Sequence, residues 1–300
     1  MSQQAPHRLA FPGLLLGAWA LAFGPWFVRL ADVGPVATGF WRLAIALPFL
    51  WLIARAAGQP AHVPRRGLTI AILGAAIFYA LDLALWNIGI RMTKLGNATL
   101  FGNAGSLVFA CWGLWLARRL PLMQAVALLL AVGGSILLMS SSYELSPKNL
   151  AGDVATLIAG VLYGGYLILV DRVRANLQPL PLLFLATLFA APILLAISLA
   201  AGEQVWPHNW TPVLLFALSS QVLGQGLLVF AIGNLSPLVV GLVLLSQPAI
   251  AAVIGWFAYG ERLSATDFIG AAAIAAALVL VRLPAPGLRG RLSEASAASP

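Results

Sequence analysis

Charge is what this 300-residue chain has least of: Asp, Glu, Lys and Arg together make 9% of it, against roughly a quarter in a soluble domain. So few charged groups cannot coat a globule of this size, and the main solvent must be lipid. Cysteine is almost missing too. The lone Cys111 excludes an intrachain disulfide and a thiolate metal cluster. His7, His62 and His208 are the only histidines; they fall in tails and loops, with neither zinc nor triad spacing. No Gly-x-x-x-x-Gly-Lys-Ser/Thr phosphate loop occurs. These absences disfavour an enzyme built on metal or nucleophile chemistry and a pump driven by ATP, and no cofactor or metal is expected.

What the chain has in abundance is apolar length, with 61% hydrophobic residues and a mean hydropathy of +0.94. A helix needs about 20 apolar residues to cross a hydrocarbon core of roughly 30 Å. Read on that ruler, the sequence predicts ten spans: Phe11 to Leu30, Val36 to Ala54, Leu68 to Ile90, Gly96 to Leu116, Pro121 to Met139, Leu150 to Val170, Leu180 to Ala200, Thr211 to Ile232, Pro237 to Tyr259 and Ala265 to Val281. The connections are too short to hold a catalytic domain. Residues Met1 to Gly24 imitate a signal peptide, with Ala18-Trp19-Ala20 resembling a cleavage site. However, the apolar run continues through Trp26 to Leu30, so it reads as the first helix.

The net charge of +8 could suggest nucleic acid, but its placement is a topology signal. Ten spans put both tails on one side, together with Arg8, Arg55, Arg65, Arg66, Arg118, Arg119, Arg172, Arg174, Arg282, Arg289 and Arg291. The other side receives Arg29, Arg91, Lys94, Lys148 and Arg262. By the positive-inside rule both termini are cytoplasmic.

The two halves also resemble each other at an offset of about 140 residues, a period long enough for five spans. Ala117-Arg118-Arg119-Leu120 aligns with Gly260-Glu261-Arg262-Leu263, Trp86-Asn87-Ile88-Gly89 with Phe230-Ala231-Ile232-Gly233, and Phe23-Gly24-Pro25-Trp26 with Tyr163-Gly164-Gly165-Tyr166. Five spans per half make the second half enter the membrane from the opposite side. Secondary transporters use such inverted repeats to frame a site near the midplane. The expected fold is an all-α integral membrane protein, ten transmembrane helices in two inverted five-helix repeats around a central cavity. Residues 1–10 form a cytoplasmic tail, 11–139 the first repeat, 140–149 a periplasmic connection, 150–283 the second repeat, and 284–300 a disordered cytoplasmic tail.

Four features carry a family resemblance: the tetrapeptide Gly260 to Leu263, Arg42 in Trp41-Arg42-Leu43-Ala44, the pair Gln247-Pro248, and the Gly-rich final helix from Gly270 to Leu280. Together they resemble the drug/metabolite transporter superfamily, in its EamA-type branch, over roughly residues 11 to 283. The resemblance is greatest to bacterial exporters of aromatic amino acids. It implies a multi-pass protein of the bacterial inner membrane. In the first half, Ala117-Arg118-Arg119-Leu120 stands where the family has Gly-Glu-Arg-Leu, and Gly105 stands where it has a proline; both departures suggest a specialised member.

Polar groups inside hydrocarbon point to the pathway, because an ionisable side chain at mid-span costs about 2.5–3.5 kcal/mol on insertion scales. Asp82 lies near the middle of the third span and Arg42 several residues into the second. They suit the ammonium and carboxylate of an amino acid; a structural ion pair, or Arg42 reaching for the interface, are the alternatives. Helical spacing groups Phe78, Tyr79 and Trp86 with Asp82. Asn97, Phe101 and Gly105 form a second stripe, Trp19, Phe23 and Trp26 a third, and Tyr163 with Tyr166 a fourth. Gln221, Gln225 and Gln247 add uncharged amides. Trp41, Trp51, Trp115, Trp206 and Trp210 suit the membrane interfaces instead. Pro25, Pro48 and Pro248 can bend their helices, and Gly160-xxx-Gly164 and Gly13-xxx-Gly17 allow close helix approach.

The function these readings favour is export of amino acids, aromatic or hydrophobic ones first, by alternating access. Export of cationic drugs or other metabolites through the same aromatic cavity is the alternative; a membrane-embedded enzyme or binding protein fits less well. Asp82 carrying a coupling proton and simple equilibration of substrate are both open. The expected partners are the bilayer and a small-molecule substrate, without nucleic acid; a functional monomer is expected, with a dimer face open.

Overall fold

Backbone polar groups in hydrocarbon have no water to bond, so a spanning chain must satisfy them within itself. The computed structural model describes residues 7–60, 62, 64–93, 95–117, 122–140, 147, 149–259 and 264–281, and its regular elements are all helices. The tetrapeptide Gly260 to Leu263, Arg118-Arg119-Leu120, most of both tails and most of the 140–149 connection lie outside those residues.

In chain order the helices are α1 (Ala10–Ala22), α2 (Gly24–Leu30), α3 (Pro35–Ala56), α4 (Arg66–Met92), α5 (Leu95–Gly102), α6 (Ala104–Ala117), α7 (Leu122–Ser140), α8 (Leu150–Arg174) and α9 (Pro179–Ala200). They continue as α10 (Trp210–Phe216), a π-helical stretch (Ala217–Gln225), α11 (Gly226–Ile232), α12 (Pro237–Leu244), α13 (Gln247–Tyr259) and α14 (Ala265–Leu280). Among the described residues, seven helical segments are long and apolar enough to cross a membrane; Leu122–Leu137, Pro237–Ile250 and Ala265–Leu280 are shorter apolar helices. The outer surface is apolar, with Phe257, Leu129 and Trp115 more than two-thirds exposed. Arg42, Asp82, Asn97, Asp153 and Gln221 are buried. That distribution suits lipid outside and a polar site within.

α3 and α9 match feature for feature. Each has 22 residues, a proline in its first turn, a proline inside (Pro48, Pro192) and a left-handed glycine two residues past its end (Gly58, φ 68°; Gly202, φ 66°). Glycine takes that conformation without the penalty a side chain would add, so the chain can turn back there. The two helices pack on each other. Likewise α4 packs on α8, α7 on α14, α6 on α12, and α1 on the π-helical stretch and α11.

Glycine sets the α6–α8 crossing. A Cβ at Gly105 would lie 2.5 Å from the Gly160 carbonyl oxygen, and one at Gly164 would lie 2.6 Å from the Val108 side chain. Gly17 approaches Gly224 and Leu227 in the same way. Gly160 and Gly164 therefore serve close packing between α8 and the α5–α6 segment.

One end of the bundle is tied by polar contacts. Glu203, after α9, accepts hydrogen bonds from the N–H groups of Val36 (3.2 Å) and Ala37 (2.8 Å), and so caps α3. Its side chain occupies the space where a residue 34 other than glycine would place a Cβ. Asp32 accepts from the backbone N–H groups of His208 and Asn209, both at 2.9 Å. Trp41 Nε1 donates to the Val205 carbonyl, and its ring packs against Trp206 and Trp210. Arg29 and Arg91 cap each other's helices: Arg29 donates to the carbonyls of Ile90 and Thr93, and Arg91 to those of Val28, Ala31 and Val33.

Candidate functional site

Four irregular points in the helices meet around one interior cavity. They are the α1–α2 joint at Phe23, the α5–α6 joint at Asn103, the π-helical stretch, and the α12–α13 joint at Leu245-Ser246. Pro25 follows the first and Pro248 the last, where the missing N–H of proline suits a new helical start. The cavity has a volume of about 90 Å³. Its lining includes Leu21, Ala22, Pro25, Arg42, Tyr79, Asp82, Leu83, Trp86, Thr99, Gly102, Asn103, Ser106, Tyr163, Gln225 and Gln247.

Arg42, Tyr79, Gln221 and Thr187, from α3, α4, the π-helical stretch and α9, form a closed hydrogen-bond network along part of the wall. Arg42 donates from Nε to Gln221 Oε1 and from Nη2 to the Tyr79 hydroxyl, both at 3.1 Å. Tyr79 in turn donates to Gln221 Oε1 at 2.5 Å, and Gln221 Nε2 donates to Thr187 Oγ1 at 2.9 Å. The Arg42 guanidinium also sits 4.8 Å from the Phe216 ring centroid, within cation–π range. Arg42 is only 4% exposed, so it does not reach an interface; Gln221 and Tyr79 hold its guanidinium.

Asp82 is different. Its side chain is 6% exposed and lines the cavity, and no hydrogen bond reaches its carboxylate among the described residues. Two more polar atoms nearby lack partners: Asn103 Nδ2 and Gln225 Oε1. The other end of the Gln225 amide donates to the Tyr163 hydroxyl at 3.2 Å. A buried polar atom without a partner costs roughly 1–3 kcal/mol, and a charged one more. Unpartnered acceptors and a donor around one cavity are the complement of a polar guest.

The remaining residues singled out in the sequence divide by location. Tyr79 and Tyr166 are fully buried and stack at 4.5 Å between ring centroids; Tyr163 stacks on Tyr166 at 5.7 Å. Their rings therefore contact one another, and Tyr79, Tyr163 and Trp86 form the aromatic part of the cavity wall. Trp19 is 56% exposed on the outer surface. Phe78 lies with its ring against Gly165, and Phe23 packs with Trp26 and Phe27 beside a groove open to the outside. Asn97 donates to both carboxylate oxygens of Asp153 (3.0 and 3.1 Å), which also accepts from Thr93 Oγ1. The stripe Asn97, Phe101 and Gly105 thus faces α8. The face that α5 and α6 turn to the cavity carries Thr99, Asn103 and Ser106. Positions i, i+4 and i+7 also mark a helical face, and those three residue types were the readable signal for it.

Apolar helices around a small polar-lined cavity define a multi-pass membrane protein with a polar interior. A solved crystal structure has the same fold, with a TM-score of 0.76 over 92% of this chain and 97% of that one, at 16% sequence identity. Residues 9–140 and 150–283 each match the EamA-like transporter family, and the chain belongs to that family. Curated relatives include the threonine/homoserine exporter RhtA of Escherichia coli (strain K12), 30% identical over 207 residues, covering 67% of this chain and 68% of that protein. The threonine/homoserine exporter RhtA of Salmonella typhimurium (strain LT2) is 29% identical over the same shares.

Proposed function

We propose that the protein is a secondary exporter of small amino acids across a bacterial inner membrane. One substrate molecule sits in the central cavity, with its ammonium on Asp82, and is exposed to the two sides in turn. The observation that carries this reading is the buried Asp82 carboxylate: it lines the cavity with no hydrogen bond from the described residues, a costly state that a cationic group would relieve. The relatives named as threonine/homoserine exporters support amino acids as the substrate class. The modest cavity and the mutual stacking of Tyr79, Tyr163 and Tyr166 favour small substrates over aromatic ones. Trp86 and Tyr163 on the wall keep aromatic amino acids as the second reading.

The architecture goes with ten spans in two inverted five-helix repeats, each half one unit. Exchanging the halves pairs α1–α2 with α8, α3 with α9, α4 with the segment from α10 to α11, α5–α6 with α12–α13, and α7 with α14. Under that exchange the main packed pairs, α3 with α9, α4 with α8, α7 with α14, α6 with α12, and α1 with the π-helical stretch and α11, map onto one another, and the family matches each half separately; both support the repeat. The distribution of Arg and Lys supports cytoplasmic termini. The joints at Phe23, Asn103 and Leu245-Ser246 supply places where helices can bend as the two mouths close alternately. The chain works as a monomer with the bilayer and its substrate as partners.

Uptake of labelled threonine into proteoliposomes tests the reading. Counterflow of threonine, competed by homoserine more strongly than by tryptophan or phenylalanine, is the expected result. Stronger competition by the aromatic amino acids selects the second reading, and stronger competition by a quaternary ammonium selects export of cations. Absence of counterflow for every amino acid overturns the proposal. A pH gradient that alters accumulation assigns a coupling proton to the transporter; an unaltered level assigns equilibration.

A further inference from the structure

We infer that Asn103 determines specificity in this cavity by donating a hydrogen bond from Nδ2 to an oxygen on the side chain of the bound amino acid. The inference rests on the transport reading above and deepens it by naming the substrate class: small amino acids whose uncharged side chain carries an oxygen.

Three observations lead to it. Asn103 is 7% exposed, it lines the cavity, and its Nδ2 has no partner. A buried amide donor left open in an otherwise packed bundle needs an acceptor from outside the protein, water or substrate. Second, the two charged residues and the stripe of neutral groups around Asn103 are on different helices. Arg42 and Asp82 stand on α3 and α4, where they attract the two charged ends of a zwitterion. Asn103 stands on the α5–α6 joint between Thr99 and Ser106, a stripe of neutral hydrogen-bonding groups. A zwitterion with its ammonium at Asp82 and its carboxylate toward the positive charge of Arg42 presents its side chain elsewhere in the cavity, where the neutral stripe offers an open donor and Gln225 Oε1 an open acceptor. Third, the joint itself places the residue: Asn103 N bonds back to the Thr99 carbonyl, while its own carbonyl accepts from Ser106 and Leu107. The backbone is held by the helix and the amide is left for a ligand.

The consequence is selectivity against the isostere. Valine matches threonine in shape but lacks the hydroxyl, so it leaves the Asn103 donor unmet. One neutral hydrogen bond is worth about 0.5–1.5 kcal/mol, which corresponds to a threonine preference of roughly two- to tenfold.

The test compares competition by threonine and by valine against labelled threonine in proteoliposomes, for the wild type, Asn103→Ala and Asn103→Asp. The aspartate variant keeps the shape but loses the donor. Wild type is expected to prefer threonine, and both variants to bring the threonine-to-valine ratio toward one while valine still binds. Thermal unfolding in detergent, with added threonine or valine, gives the same ratio from binding alone. If the ratio stays at the wild-type value in folded variants, the inference is overturned and the transport reading stands. Equal loss of threonine and valine affinity also overturns it, because the amide would then serve a part common to both. If wild type neither binds nor moves any amino acid, the transport reading falls first and takes this inference with it.

Discussion

Arg42 and Asp82 border the same cavity, yet they stand on walls in different states of completion. On the Arg42 side, Tyr79, Gln221 and Thr187 form one continuous hydrogen-bond network, closed within the protein. Beside that network, Asn103 Nδ2 and Gln225 Oε1 have no hydrogen-bond partner, and no hydrogen bond from the described residues reaches the Asp82 carboxylate. Two ionisable residues equally rare in a lipid setting therefore do different work. The first is held by structure and gives the cavity a fixed positive wall. The second has no hydrogen bond from the described residues, and the proposed binding of a substrate ammonium rests on it.

That contrast predicts which substitutions damage transport and which damage the fold. The largest effect is expected for Asp82→Asn: threonine counterflow should fall roughly ten- to a hundredfold, the value of a hydrogen bond to a charged group, while the unfolding midpoint holds or rises. A fall in stability instead would mean that the Asp82 wall is closed as well. Arg42→Met is expected to cost about 2–3 kcal/mol of stability, because it removes charged donors to Gln221 and Tyr79; chemical unfolding in mixed micelles measures it. A variant as stable as wild type would break the comparison. Thr187→Val should cost about 1 kcal/mol, since Gln221 Nε2 loses its acceptor at the far end of the network. If threonine affinity drops as much as stability does, the network is part of the binding surface.

The smallest effect lies outside the membrane. The backbone N–H of Asn209, with that of His208, holds Asp32 below the ordinary carboxylate value of 3.8 despite an opposing desolvation effect. A lowered folded value means that the contact stabilises above pH 3.8 and is lost as the pH falls through that lower value. Asp32 is fully exposed, so only a slight acid-side dependence of the unfolding midpoint is expected. Asp32→Asn should flatten it; a persistent slope would point to another acid.

Much of this was readable before any coordinates. Apolar length gave the helical segments, and the cost of charge in hydrocarbon singled out Asp82 and Arg42. Tyr79, Tyr163, Gln225, Gln247 and Pro25 also come to the cavity. What could not be read was rotation. A helix apolar on nearly every side has no solvent face to fix its orientation, so several stripes compete. In α5–α6 the spacing favours the stripe with Asn97 and Gly105, but Gly105 is needed for close approach to Gly160, and Asn97 is taken by Asp153. That packing turns Asn103 inward. Trp19 shows the same limit: it shares spacing with Phe23 and Trp26 but lies on the outer surface. The π-helical stretch was equally hidden, because an extra residue per turn leaves little mark on an apolar sequence.

The cap on α3 carries a consequence for inheritance. Glu203 belongs to the second half of the chain, yet its carboxylate fills the place of a side chain at position 34 and holds the N–H groups of Val36 and Ala37 in the first. A side chain at 34 would evict the carboxylate, and loss of the carboxylate would leave a void beside a bare helix end. Positions 34 and 203 are thus one heritable character written in two places. Among relatives, glycine at the first and glutamate at the second should appear and disappear together.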